Sequence, residues 1–141
     1  MSLSLRPDDV TPINPEERDQ LALKLTEEQR HILLHEGTEA PFCGGYLAES
    51  GPGTYHCALC DLALFDAAHK FDSGTGWPSF TQPLAANRLH QVADHRYGMQ
   101  RVEVRCARCS GHQGHVFPDG PAPTGLRYCI NSQALVFYPA D

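Results

Sequence analysis

Two Cys-x-x-Cys pairs, Cys57-Ala58-Leu59-Cys60 and Cys106-Ala107-Arg108-Cys109, are the strongest chemical signal in the chain. Structural zinc takes four tetrahedral ligands, and two such knuckles supply a complete set of thiolates. A closed set leaves no open coordination position, so Zn2+ held there would staple the fold and do no chemistry on a substrate. A thioredoxin-like redox motif would need a βαβ pattern around one of the pairs, and neither has one. The long stretch between the knuckles must itself fold as sheet, which places the staple across the domain.

With those four sulfurs assigned, Cys43 and Cys129 remain. Cys129 lies in Arg127-Tyr128-Cys129-Ile130-Asn131-Ser132, where a strand expected over 126–137 would set Cys129 and Asn131 on one face. His112-Gln113-Gly114-His115 precedes it in a glycine-rich turn. A thiol becomes a nucleophile when a histidinium or hydrogen-bond donors favour the thiolate, and His112, His115 and Asn131 could provide that setting. The residues alone leave two enzyme classes open, a Cys-His-Asn acyl hydrolase and a thiol oxidoreductase in which Cys129 is itself oxidised. A zinc-ribbon interaction module with an inert Cys129 is the alternative from outside enzymology. Trp77, the single tryptophan, sits in the tight turn Gly74-Thr75-Gly76-Trp77-Pro78, and taken alone it reads as a core residue.

At 141 residues the chain is read as one domain, 1–141. Eleven prolines and twelve glycines point to many turns and short strands, because proline lacks a ladder donor and glycine supplies positive φ. Residues 1–14 read as a loose polar arm. Asn14-Pro15-Glu16-Glu17 opens a short helix with an N-cap and a first-turn proline, its apolar side given by Leu21, Leu25 and Leu23. Thr26-Glu27-Glu28-Gln29 is a capping box for a second helix that carries Ile32, Leu33 and Leu34 and stops at Gly37. Both helices are expected to cover a sheet. Val92 and the 99–104 segment read as further strands, Val102 and Val104 alternating with Arg101, Glu103 and Arg105.

A formal net charge of −6 argues against nucleic acid, whose binding rests on phosphate neutralisation by lysine and arginine. No apolar run approaches the roughly 18 residues of a membrane helix. The start has no apolar core of a secretory signal, and thiols held by metal suit a reducing compartment, so a cytoplasmic protein is expected.

The segments Gly37-Thr38-Glu39, Lys70-Phe71-Asp72-Ser73-Gly74-Thr75-Gly76-Trp77-Pro78-Ser79-Phe80, His112-Gln113-Gly114-His115-Val116-Phe117-Pro118-Asp119-Gly120 and Gly125-Leu126-Arg127-Tyr128-Cys129-Ile130-Asn131-Ser132, with the two knuckles, resemble the methionine-R-sulfoxide reductases of the B class. The resemblance spans residues 26 to 138 and implies a mainly β fold of two small antiparallel sheets with short N-terminal helices. It implies Cys129 as nucleophile, His112 and His115 around the sulfoxide oxygen, Asn131 as an orienting neighbour, and Trp77 with Phe117 as walls for the substrate. Oxidised methionine in peptides or proteins would be the substrate and a thioredoxin-type dithiol the final reductant, with the protein acting as a monomer. In many members of that family a resolving cysteine stands where this chain has Thr75. Threonine cannot form a disulfide, so the resemblance points to Cys43 as the resolving thiol, or to direct reduction by an external thiol.

Overall fold

The computed structural model describes residues 6–35, 37–38, 45–46, 51–95 and 98–140. The first helix, α1, runs over Pro15–Ala22, and Asn14 and Glu17 cap each other reciprocally there. The second, α2, runs over Glu27–His35 and opens on the Thr26–Gln29 box, each side chain bonded to the other's backbone amide at 3.1 and 2.9 Å. It closes with the Gly37 amide donating to the His31 carbonyl at 2.9 Å, two residues past the last helical position. Ala22, Leu25, Ile32 and Leu33 are buried, whereas Leu23, expected on the apolar side of α1, is 78% exposed. A helix of eight residues turns only part of its circumference inward, and Leu23 lies past that part.

Among the described residues nine short strands follow: β1 (Gly53–Cys57), β2 (Ala63–Asp66), β3 (Lys70–Phe71), β4 (Ser79–Phe80), β5 (Leu89–Asp94), β6 (Arg101–Cys106), β7 (His112–Phe117), β8 (Arg127–Ile130) and β9 (Leu135–Pro139). They form two antiparallel sheets, one in the order β2-β1-β9 and one in the order β3-β4-β8-β7-β6-β5. The fold is therefore mainly β. Where the sheets meet, Tyr55 and Phe65 of the small sheet interleave with Phe80 and Tyr128 of the large one, and Phe137 packs on Tyr55. Ring centroids lie 4.3 Å apart for Phe65–Phe80 and 5.2 Å for Tyr55–Phe80. Burying each of these rings contributes about 1.5–3 kcal/mol, enough to hold two sheets that neither could bury alone. No helix among the described residues is long and apolar enough to cross a membrane.

Two expectations change here. The single strand over 126–137 is two strands in different sheets, separated by a 3₁₀ turn at Ser132–Ala134. The break follows from Asn131, whose carbonyl accepts from the Ala134 amide at 3.0 Å while its own amide crosses to the Gln113 carbonyl at 2.9 Å. Residues 1–5 lie outside the described residues, but from Arg6 onward the expected loose arm is tied down. Arg108, 2% exposed, donates to the carbonyls of Arg6, Asp9 and Cys60. The amide of Ala63 bonds to the Pro7 carbonyl and that of Ile13 to the Arg108 carbonyl. A buried guanidinium has five donors to satisfy, and the arm supplies two carbonyl acceptors beside the one that the Cys57–Cys60 knuckle offers.

Candidate active site and metal centre

Cys57 ends β1 in the small sheet and Cys106 ends β6 in the large one, so the cysteine cluster joins the two sheets. The knuckles are built alike. In each, the amide four residues after the first cysteine returns to its carbonyl at 2.8 Å (Asp61 to Cys57, Ser110 to Cys106), and that residue adopts positive φ, 68° and 62°. The four buried Sγ atoms lie within 4.8 Å of one another, with Cys57–Cys109 at 3.6 Å and Cys60–Cys106 at 3.4 Å. A tetrahedron with 2.3 Å metal–sulfur bonds has edges of about 3.8 Å, so these sulfurs fit one ion. The Gly111 amide and the Gln113 side-chain amide each donate to a sulfur, Cys109 and Cys57, at 3.3 Å. Such donors suit thiolates. Burial pushes the Cys57 thiol well above its ordinary range, and a bound cation reverses that direction by favouring the deprotonated ligand.

The second cluster is organised by strand register. Ser79 of β4 stands opposite Cys129 of β8, Cys129 opposite His115 of β7, and His115 opposite Glu103 of β6. Directly opposed residues of an antiparallel sheet share a face, so these four form a transverse row. His112 and His115, three apart, would point to opposite faces of a regular strand. The pairing of β6 with β7 slips at Val104/Arg105, leaving Gln113 as an extra residue between His112, opposite Arg105, and Gly114, opposite Val104. This bulge returns both imidazoles to one side, with ring centroids 5.5 Å apart. The carbonyl of the bulged Gln113 accepts from both the backbone amide and the side-chain amide of Asn131, at 2.9 and 3.1 Å. Glycine is required at 114, because a Cβ there would lie 2.0 Å from the Cys129 carbonyl oxygen.

Cys129 opens into a cavity of about 240 Å³ lined by Trp77, His115, Phe117, Arg127, Asn131 and Thr75, among others. The structure thus brings together five of the residues expected at the site, including Trp77, which the turn presents because Gly74 and Gly76 both take positive φ, 75° and 95°. His112 does not line the cavity. It is 1% exposed and stands behind His115 with Nδ1 at 2.6 Å from Glu103 Oε2. Cys43 lies outside the described residues.

The electrostatics differ from the expectation that the histidines would favour the thiolate. Burial holds Cys129 above the ordinary cysteine range, and the groups that oppose this are Thr75, Arg127 and Ser79. Arg127 donates Nε and Nη2 to the Asp119 carboxylate at 2.9 and 3.2 Å and lies 4.3 Å over the Phe117 ring. His115 is held below its ordinary 6.5, chiefly by burial, although its Nε2 lies 2.8 Å from Asp94 Oδ2. Arg101 reaches that same oxygen at 3.3 Å. Glu103 would be raised by burial, but hydrogen bonds from Arg105 and His112 bring its carboxyl below 4.5.

Asp94 and Glu103, the carboxylates behind the two imidazoles, had no sequence signal beyond their charge. Glu103 stands between two valines and reads as a solvent-facing residue, yet it is 3% exposed while Val102 is 37% exposed. Arg127 was within reach of inference, since it lies two residues before Cys129 on the same face of a strand.

The SelR domain matches residues 25–139 of the chain. A peptide methionine sulfoxide reductase MsrB from Caulobacter vibrioides (strain NA1000 / CB15N) is 60% identical over 132 residues, which cover 94% of this chain and 83% of that relative. Its counterpart in Pseudomonas aeruginosa (strain UCBPP-PA14) is 56% identical over 118 residues, 84% of this chain and 89% of the relative. The one in Xylella fastidiosa (strain M23) is 51% identical over 131 residues, covering 93% and 84%.

Proposed function

Because the chain belongs to the SelR domain family, we propose that it reduces methionine sulfoxide, at the R epimer and in peptides and proteins, with Cys129 as the nucleophile. The observation that carries this reading is the position of Cys129. Among the described cysteines it alone is not fully buried, and it shares its cavity with Trp77, His115 and Asn131.

The chemistry follows from those neighbours. The Cys129 thiolate attacks the sulfoxide sulfur while the sulfoxide oxygen takes a proton. The oxygen ends on the cysteine as a sulfenic acid, and the substrate sulfur, reduced by two electrons, leaves as methionine. His115 supplies the proton. With its Nε2 engaged by Asp94, the proton leaves from Nδ1. A positioned acid of this kind typically contributes on the order of 10² to 10⁴ in rate. The half-buried Trp77 and Phe117 give the substrate methyl an apolar wall, and a wall on one side of the reacting sulfur selects one epimer. Asn131, pinned by two bonds to the bulged Gln113 carbonyl, orients the polar half of the cavity. His112 acts from behind, fixing the ring of His115 against Asp94.

The sulfenic acid then condenses with the Cys43 thiol, releasing water and forming a Cys43–Cys129 disulfide, which a thioredoxin-type dithiol reduces by exchange. Thr75 stands 3.8 Å from Cys129 Sγ and offers a hydroxyl where a resolving thiol would serve, which is why the second sulfur must come from elsewhere. Cys57, Cys60, Cys106 and Cys109 would hold Zn2+, which when bound would tie the two sheets together. A cytoplasmic monomer suits a thiol enzyme of this kind.

Mass spectrometry after one turnover without reductant tests the reading. A loss of two hydrogens mapped to Cys43 and Cys129 is expected, and Cys129→Ser is expected to abolish reduction. In Cys43→Ser, one turnover should end in a trapped sulfenic acid, whereas unimpaired cycling with thioredoxin would assign the second step to an external thiol. An unchanged mass in the wild-type protein would refute the proposal.

A further inference from the structure

Thr75 is bonded to more than Cys129. Its Oγ1 lies 2.8 Å from Ser73 Oγ, Ser73 Oγ lies 2.7 Å from Ser79 Oγ, and Ser79 Oγ donates to the Trp77 carbonyl at 3.1 Å. A hydroxyl carries one hydrogen, and a carbonyl carries none to give. The direction of every bond in the chain is then determined from its far end. The hydrogen of Ser79 is committed to the Trp77 carbonyl, so Ser73 donates to Ser79. The hydrogen of Ser73 being used, Thr75 donates to Ser73. Only an acceptor site of Thr75 then faces the sulfur, and the Cys129 S–H donates to it at 3.8 Å. The row of donors runs one way, from the thiol to the backbone of the residue that walls the cavity.

A thiolate can only accept. When Cys129 ionises, its proton leaves to solvent through the cleft, and Thr75 must turn to donate to sulfur. Were Thr75 to turn alone, Ser73 and Thr75 would face each other lone pair to lone pair at 2.8 Å. Ser73 therefore turns to donate to Thr75, Ser79 turns to donate to Ser73, and the Trp77 carbonyl loses the hydrogen of Ser79. The geometry points to Thr75, Ser73 and Ser79 as a reversible hydroxyl relay that tunes the ionisation of Cys129, with Thr75 a switchable donor to the thiolate and Ser73 the brake that withholds it at rest.

Among the described residues, the other charged and titratable groups around the sulfur are Arg127 on its own strand, paired with Asp119, and His115 across on β7, backed by Asp94 and Arg101. From the opposite side, β4 and the 73–78 segment bring hydroxyls, glycines, Trp77, Pro78 and Phe80, none of them charged. Substituting Ser73 or Thr75 leaves all the charged neighbours in place. The catalytic consequence rests on Cys129 being the nucleophile, but the relay itself is a property of the thiol and is measured without substrate.

The experiment is the pH dependence of iodoacetamide alkylation at Cys129 in the intact metal-loaded protein, read by peptide mass mapping. Thr75→Val removes the donor to the thiolate and is expected to raise the apparent ionisation midpoint by about 1 pH unit, since hydrogen bonds to charged groups are the stronger ones. Thr75→Ser keeps the hydroxyl and should restore the wild-type midpoint. Ser73→Ala frees the hydrogen of Thr75 for the sulfur and should lower the midpoint by roughly half a unit. Opposite signs at adjacent links are the signature of the relay, because loosened packing would move both variants the same way. An unchanged midpoint in Thr75→Val, or a rise in Ser73→Ala, would overturn it. Opposite shifts in a protein that fails to reduce methionine sulfoxide would uphold the relay and refute the reductase reading instead.

Discussion

Replacing Asp94 with asparagine isolates the role of the carboxylate behind His115. Asp94 is 5% exposed, and its Oδ2 serves both His115 Nε2 at 2.8 Å and Arg101 at 3.3 Å. The amide can still accept from Nε2, so the ring keeps its place. What is lost is the charge. A charge-assisted bond exceeds a neutral one by about 1–1.5 kcal/mol, which is about one pKa unit for the imidazole. The positive charge of Arg101, no longer compensated, pushes His115 the same way. The ring is already held below 6.5, so at pH 7 it is mostly neutral, and a further unit reduces the imidazolium about tenfold. Single-turnover reduction of a methionine-R-sulfoxide peptide should therefore fall about tenfold at pH 7 to 8. The deficit should shrink as pH falls, because the wild-type imidazole saturates with protons before that of the variant. Taking the ratio of variant to wild type at each pH removes the contribution of Cys129 ionisation, which both share. A ratio that stays flat across this range, or no loss at all, would refute His115 as the acid that Asp94 maintains.

Acid should destabilise the fold in two windows. His115 is lowered by burial, so below about 6.5 the unfolded chain binds the proton more readily and stability falls with pH. Glu103 is lowered by Arg105 and His112, so its contribution is present above about 4.5 and lost as pH drops through its folded value. A Tm that is level near neutrality, declines below 6.5 and falls faster below 4.5 would agree, and a Tm indifferent to pH between 7 and 4 would not. Gly114→Ala places a methyl 2.0 Å from the Cys129 carbonyl, where neither strand can yield without breaking the ladder. The expected cost is about 3 kcal/mol, read as a fall of roughly 10 °C in Tm, and a loss under 1 kcal/mol would contradict the strand register. Stripping the metal with a chelator should abolish the cooperative thermal transition in circular dichroism, because metal binding is folding free energy in such a site. A persistent sharp melt would show that the sheets hold without the staple.

Features carried by local spacing were legible in the chain. The knuckles, the capping boxes at Asn14 and Thr26, and the turn that presents Trp77 each depend on residues a few positions apart, and each is present. Features that depend on what comes to lie opposite were not. The alternation of β6 suggested that Glu103 faces solvent, because a pattern of period two does not reveal that the polar face is also covered. The bulge at Gln113 has no composition of its own, yet it decides that His112 and His115 face one way. The docking of residues 6–13 depends on Arg108, about a hundred positions away. The state of the Cys129 thiol depends on hydroxyls from a turn more than fifty residues earlier. The resemblance supplied the list of groups at the site, and their order in space needed the sheet.

Ser79, Cys129, His115 and Glu103 are aligned by main-chain pairing across four strands. The gauge of that line is the interstrand pitch of about 4.8 Å, a dimension set by peptide geometry and indifferent to which side chains stand on it. Sulfur and imidazole therefore keep their separation while the bordering loops lengthen, shorten or change composition. A scaffold of this kind can be re-tailored to new oxidised surfaces at its rim without re-machining its centre.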